Sequence, residues 1–330
     1  KDDNYTGLYY FDRFGNLELL YADPDFSCMY PIPLEPRPTP PVVSSSLESG
    51  LADEGEFILT NVRESFFPLP ESRPIRSLRI FQVLPKTSTH VANQPRIGHA
   101  NAESARMLLG TVPVEKDGSA YFRAPARKPL YFQAVDAKGR AVQTMRSVTY
   151  LQPGERRSCV GCHESPGTAS PARPDLLALR REPSPIEPGP QGTLPLSYPL
   201  LVQPILDRHC IRCHDGSEGE LKAPPVLTGE PAGTFTRSYQ SLKPFVRWYE
   251  WGDKTIREIG TEPGRSGADE SRLLKVIADK IHARHVTLSP EDDLCLTLWL
   301  DANVPFYGAY EKEAQLAQQA GQNVPPPAVQ

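Results

Sequence analysis

Two folded regions of different class are predicted, a β-sandwich followed by a small all-α domain, with a lone pair of strands ahead of both. Three observations predict this. Between about residues 56 and 155 the chain runs in short β-branched and aromatic segments separated by Gly-containing turns. Between about 196 and 310 apolar residues fall at helical spacing. The connections are rich in proline, which supplies 36 of 330 residues, about twice the usual share, and favours extended segments.

Residues 7–21, "GLYYFDRFGNLELLY", alternate aromatic and polar positions around a Phe-Gly-Asn turn, which reads as a hairpin. A two-stranded hairpin is marginal in water by itself, so these strands should pair with something outside the sandwich. "YPIPLEPRPTPP" (30–41) then reads as a stiff, extended connector, completed by "SSSLESG" at 44–50. Residues 1–45 are therefore assigned to the strand pair and its linker, and 46–158 to the sandwich. Its strands are expected in "LRIFQVL" (78–84), "LLGTVPV" (108–114), "SAYFRA" (119–124), "LYFQAVD" (130–136) and "AVQTMRSVTYL" (141–151). The turns "EKDG" and "DAKG" lie between them. Residues 159–195 form a proline-rich loop between domains. In 196–310, "PLLVQPILDRHCIRCH", "ESRLLKVIADKIH" and "SPEDDLCLTLWLDAN" are expected as helices, the last with Ser289 as N-cap and Pro290 at the first helical position. The tail, 311–330, starts as a helix and ends in "NVPPPAVQ".

The chain has only six cysteines and seven histidines, yet it reads "RRSCVGCH" at 156–163 and "DRHCIRCH" at 207–214. At this composition one Cys-x-x-Cys-His should arise by chance about 0.002 times per chain, so two copies call for a chemical reason. A redox Cys-x-x-Cys needs no histidine. A zinc ribbon also pairs two such knuckles, but usually about 15–20 residues apart, and has no use for the histidines in register. Covalent c-type haem explains every position: two thiols add to the two vinyl groups of one porphyrin, and the next imidazole becomes the proximal ligand. Cys159, Cys162, Cys210 and Cys213 are thus assigned as thioether attachments, and His163 and His214 as proximal ligands of two haems c. Helix, haem motif, irregular middle and closing helices is the plan of a small cytochrome c domain.

The bulk numbers narrow the function classes. A net charge of −4 and a pI near 6.0 are not those of a nucleic-acid binder. No apolar run approaches the roughly 18 residues of a membrane span. The chain opens on "KDDNYTGLYY" rather than on a secretory signal. Because haem c is attached after export, the sequence is expected to be a mature or trimmed piece of a longer precursor acting in the periplasm or outside the cell. No paired carboxylates, nucleophile elbow or phosphate loop stands out.

The distal ligands are narrowed by elimination. Met29, Met107 and Met145 all precede both haem motifs and none lies in the C-terminal domain, so the second iron is expected to take a second imidazole. His285, in the loop before the last long helix, is the first choice and His282 the second. For the first haem, His99 ("RIGHANAE") and His90 ("KTSTHVAN") are candidates, each weighed against a plain surface-loop histidine. His209 is weighed as a haem neighbour against an exposed helix residue. Trp248, Tyr249 and Trp251 are expected in the second haem's pocket wall. Cys295, spaced with Leu294 and Leu298, reads as core, and a Cys28–Cys295 disulfide is conceivable in an oxidising compartment.

"LLGTVPVEKDGSAYFRAPARKPLYFQAVDAKGRAVQTMRSVTYLQPGERRSCVGCHE" resembles the middle region of hydrazine synthase alpha-subunit-related proteins, secreted multidomain cytochromes. "DRFGNLELLYADPDFSCMYPIPLEPRPTPPV" is similar to their segment leaving the last blade of an N-terminal β-propeller. "VQPILDRHCIRCHDG" and "LTLWLDANVPFYGAY" resemble their C-terminal cytochrome c domain. The resemblance implies that the first strands are a propeller-blade remnant, completed by a propeller absent from this sequence or supplied by another chain or a second copy. It also places Cys28 where the family has a cysteine near the middle-domain haem, which implies a zinc or haem-edge role with His163, weighed against a free thiol. In the hydrazine-forming enzyme a tyrosine four residues after the motif histidine binds the iron. Here that position is Gly167, which counts against hydrazine formation and leaves His163 as an ordinary proximal ligand.

The leading expectation is electron transfer between redox protein partners or along an assembly. The rivals are a haem oxidoreductase acting on a small nitrogen compound or peroxide at the first haem, and a structural subunit of a haem-bearing polymer.

Overall fold

The structure is a computed structural model that describes residues 6–41, 52–88, 94–101, 103–145, 147–162, 167, 175–190, 192–218, 224–249, 262–265 and 267–327. The chain divides into two compact units, residues 1–46 and 47–330.

In the first unit, β1 (Leu8–Phe11) pairs antiparallel with β2 (Leu17–Tyr21). The turn is organised by Asp12, whose carboxylate accepts from the backbone N–H of Phe14 and of Asn16 and from Asn16 Nδ2. These three bonds order the turn but do not cover the strands. All of β2 is exposed, and Tyr10, Phe11, Leu17 and Leu20 are each more than half exposed. The expected strands are present and pair with one another.

The second unit opens with two facing sheets. One has the order β6-β3-β9, with β3 at Glu54–Leu59, β6 at Ala120–Pro125 and β9 at Arg156–Cys159. The other has the order β5-β4-β7-β8, with β4 at Ile75–Val83, β5 at Arg106–Pro113, β7 at Leu130–Asp136 and β8 at Ala141–Thr144. Alternation drives the closure: in β3, Phe57 and Leu59 point inward and are buried while Glu54 is exposed. The rings of Phe57 and Phe132 meet across the sheets at 5.2 Å, and those of Phe122 and Phe132 at 5.8 Å. All pairs are antiparallel except β3 with β9, which run parallel with Leu59 opposite Cys159.

Three sequence expectations are corrected here. The segment 141–151 is a strand only to Thr144, although Thr149 still bridges Leu130. Cys159 is not on a free loop but ends an edge strand. The proline-rich return is bound to the sandwich as well. Its described part forms a 3₁₀ turn at Leu177–Arg180 and bridges Ser184 to Phe122, Glu187 to Thr111 and Pro195 to Met107. Gly110 permits this, because a Cβ there would lie 2.0 Å from the Glu187 carbonyl oxygen.

The remainder is mostly short helices: α1 (Tyr198–Leu201), α2 (Gln203–His209), α3 (Ile211–His214), α4 (Arg237–Ser241), α5 (Gly267–Glu270), α6 (Leu273–Ile277), α7 (Pro290–Asp301) and α8 (Lys312–Gln319). The region is not purely helical, since β10 (Pro231–Ala232) pairs with β11 (Phe235–Thr236). In α7 the Ser289 hydroxyl accepts from the Asp292 N–H and Pro290 opens the helix, as the sequence predicts. Tyr198, Tyr239, Trp299 and Phe306 form its aromatic centre, and each is fully buried.

Sandwich and helices share one core, and a buried ion pair joins them. Arg79 on β4 donates to Asp301 Oδ2 at the end of α7 (3.3 Å) and to Gln133 Oε1 (2.8 Å). The same carboxylate accepts from the N–H groups of Ala141 and Ala268. Burial pushes the Asp301 carboxyl above the ordinary carboxylate range, against the pull of Arg79.

Candidate haem sites

The first motif is held by backbone pairing. Beyond Leu59, the Thr60 N–H donates to the Cys159 carbonyl (2.9 Å) and the Asn61 N–H to the Val160 carbonyl (3.0 Å), so the parallel ladder runs on into the motif. Gly161, between the two cysteines, lies against residue 64: a Cβ there would come 1.9 Å from the Glu64 carbonyl oxygen. Glycine is required for that approach. Cys159 and Cys162 are both partly buried and pack against the sandwich core. They line a cavity of about 730 Å³ that opens between the edge strands β8 and β9. Its walls are chiefly apolar, with Phe57, Phe122 and Phe132 behind and Arg157 at the rim. That volume falls within the roughly 300–1,000 Å³ of cofactor and ligand sites, and the apolar walls suit a porphyrin face. His163 lies outside the described residues, as does His90.

His99 is not among the residues lining this cavity. It is buried on the helical side, its ring stacked on Tyr239 with centroids 4.1 Å apart and 5.0 Å from that of Trp248. Its backbone N–H donates to the Tyr239 hydroxyl, and its Nε2 has no hydrogen-bond partner among the described residues. Burial, aided by Lys243 and Arg96, lowers its pKa to about 4, so the ring is neutral at physiological pH. The aromatic packing of Tyr239 takes this histidine away from the first motif, which its place in the chain does not reveal.

The second motif spans the C-terminal end of α2 and all of α3. The Cys210 N–H donates to the Leu206 carbonyl and the His214 N–H to the Cys210 carbonyl, so one helical turn presents both sulfurs and the imidazole. Burial first, then Cys213 and Asp207, pushes the Cys210 thiol up to about 11.

The His214 ring faces that of His282, with centroids 6.3 Å apart and planes 11° from parallel. Two imidazoles that share one metal ion, each bonded at about 2.0 Å, bring their centres about 6 Å apart. Both rings are also oriented. His214 Nδ1 lies 3.1 Å from the Pro225 carbonyl oxygen, and His282 Nδ1 lies 3.3 Å from Asp279 Oδ1. An oxygen acceptor at that distance puts the proton on Nδ1. The centroid spacing is close to that of two imidazoles sharing one metal ion.

The two histidines weighed from the sequence are placed differently. His282, not His285, faces His214, and His285 is exposed at the end of the 3₁₀ turn His282–Arg284. The reason is local: Asp279 accepts from the N–H groups of Ile281 and His282, winding the chain into a turn that presents position 282. His209 is also not a free surface residue, since its Nε2 lies 3.1 Å from Asp292 Oδ2. Tyr249 is buried and structural, its hydroxyl donating to the Arg265 carbonyl and its N–H to Asn303 Oδ1; Trp251 lies outside the described residues.

Cys28 and Cys295 both carry free thiols. Cys295 is buried, as its spacing predicts. Among the described residues, no three His, Cys, Asp or Glu side chains converge on a metal-sized site, and no helix is long and apolar enough to cross a membrane.

Comparison with known proteins bears on the region that carries the first motif. The family described as "Hydrazine synthase alpha subunit middle domain" matches residues 74–164, from the start of β4 through the first Cys-x-x-Cys-His. The hydrazine synthase subunit alpha of Kuenenia stuttgartiensis is 41% identical over 58 residues, which is 18% of this chain and 7% of that protein. The solved Kuenenia stuttgartiensis hydrazine synthase superposes with a TM-score of 0.55 at 18% identity, covering 78% of this chain and 44% of that one. At that identity the superposition shows a shared fold, and this chain spans less than half of its relative. Residues 74–164, from β4 through the first motif, thus match a known domain of the hydrazine synthase alpha subunit, and over that region the chain is related to it.

Proposed function

We propose that this chain is a dihaem c-type cytochrome that passes single electrons between protein partners outside the cytoplasm. Cys159 and Cys162 would hold one haem, with His163 as its proximal ligand. Cys210 and Cys213 would hold the other, between His214 and His282. The observation that carries the reading is the His214–His282 pair, 6.3 Å apart and nearly parallel, next to two cysteines at thioether spacing. Bound haem supplies reversible one-electron exchange, and the chain's own residues set its terms. The Pro225 carbonyl and the Asp279 carboxylate hold the two rings with Nε2 presented. Two imidazoles, rather than imidazole and methionine, favour a lower potential at the second site.

Partner chains follow from the kinship, because the curated relative is itself named as a subunit. The exposed strand pair at 8–21 is a surface such a partner could cover, in keeping with a propeller-blade remnant. A second reading, chemistry on a small nitrogen compound or peroxide at the first haem, is favoured by the cavity beside Cys159 and Cys162.

The test is spectroscopic. His282→Ala should convert the second haem from low-spin to high-spin and let its ferrous form bind carbon monoxide, while His285→Ala leaves the spectrum unchanged. A low-spin spectrum that survives His282→Ala and collapses in His285→Ala would return the ligand to the loop.

A further inference from the structure

The cavity between β8 and β9 holds a side chain that the ligand search from sequence set aside. Met145 is the first residue beyond β8, the edge strand of its sheet, and Cys159 ends β9, the edge strand of the facing one. The two edges flank one opening, and Met145, Cys159 and Cys162 all line it. The Met145 N–H donates to the Phe132 carbonyl (2.9 Å), which ties its backbone to the sheet, and its side chain is partly buried against the core. The chain's other methionines do not line this cavity: Met107 is buried in β5 and Met29 is exposed in the first unit.

The donor chemistry of the lining is selective. Iron in a haem takes axial imidazole, thioether, thiolate or phenolate. Among the described lining residues there is no histidine, tyrosine or lysine. The two cysteines are committed to the porphyrin. Gln143, Thr144, Ser147, Thr149 and Ser158 are neutral amides and hydroxyls, and Arg157 is occupied by Glu155 and Thr149. One lining side chain with an axial donor remains, the Met145 thioether.

We propose that Met145 Sδ is the distal ligand of the first haem, opposite His163. This deepens the electron-transfer reading and rests on covalent haem at Cys159 and Cys162. It closes that iron to exogenous ligands and gives the chain one Met/His and one bis-imidazole centre. Thioether ligation raises the potential, so the first haem becomes the electron acceptor relative to the second.

The experiment uses the whole haem-loaded chain, with covalent haem counted by intact mass. Ferric protein should show the long-wavelength sulfur-to-iron charge-transfer band of a methionine-ligated haem. Met145→Leu keeps the side-chain volume and should remove the band, and its ferrous first haem should bind carbon monoxide. Met145→His should also remove the band while keeping that haem low-spin and closed to carbon monoxide. Met29→Leu should leave the band in place. A chain with two haems and no band, or a band that persists in Met145→Leu, overturns the Met145 assignment and leaves the dihaem reading standing. A chain without covalent haem at Cys159 and Cys162 overturns both.

Discussion

A histidine's chemistry in this chain is decided by what binds its second nitrogen and what covers its ring. His214 and His282 each have Nδ1 engaged by an oxygen and so present Nε2, whereas His99 has its ring sealed among aromatics. That sealing predicts a pH dependence of stability. His99 has its pKa lowered in the folded state to about 4, while the unfolded side chain keeps a value near 6.5. Below about pH 6.5 the unfolded chain takes up a proton that the folded chain refuses, so stability is complete above that pH. It is lost as the pH falls toward about 4, at up to about 1.4 kcal/mol per pH unit. Urea titrations of the wild type and His99→Phe between those limits should show the slope shrinking in the variant. An unchanged slope would assign the acid sensitivity to other groups. The two Cys-x-x-Cys-His segments stand out at this scale because of their spacing, and it is the spacing that the haem proposal starts from. Which of His282 and His285 lies beside His214 could not be read there, because it depends on which way the Asp279 turn winds.

At the scale of elements, legibility follows how far an element's stability is local. The helix α7 could be read from its cap, Ser-Pro-Glu-Asp-Asp, since Ser289 and Pro290 act within one turn. The strand β9, "RRSC", has no apolar alternation and exists because β3 lies beside it. The expected single helix in "ESRLLKVIADKIH" is broken. Ser271 spends its hydroxyl on the Gly267 carbonyl and on the Arg247 N–H, and Asp279 caps a fresh turn. Contacts distant in sequence also decide how α7 meets the sheet. Asp301→Ala would leave Arg79 buried without its charge partner, and losing one member of a buried pair typically costs about 3–5 kcal/mol. Chemical denaturation should place the midpoint of Asp301→Ala well below that of wild type, with the double variant Arg79→Met/Asp301→Ala recovering part of the loss. A cost below about 1 kcal/mol for the single variant would show that the pair does not tie helix to sheet.

For the molecule as a whole, the sandwich and the helical region act as one folded unit that sets two Cys-x-x-Cys segments on a common core. The strand order could not be foreseen from composition, because the parallel β3–β9 pair joins segments about a hundred residues apart. Kinship with the hydrazine synthase alpha subunits was legible in the block from β5 through the first motif, which lies within the matched region 74–164. Electron exchange through this unit requires covalent haem at both motifs, and one measurement addresses that directly. Intact-mass analysis of the purified protein after acid–acetone extraction should give the apoprotein plus two haem masses. A mass carrying one haem, none, or zinc in their place would contradict the dihaem account.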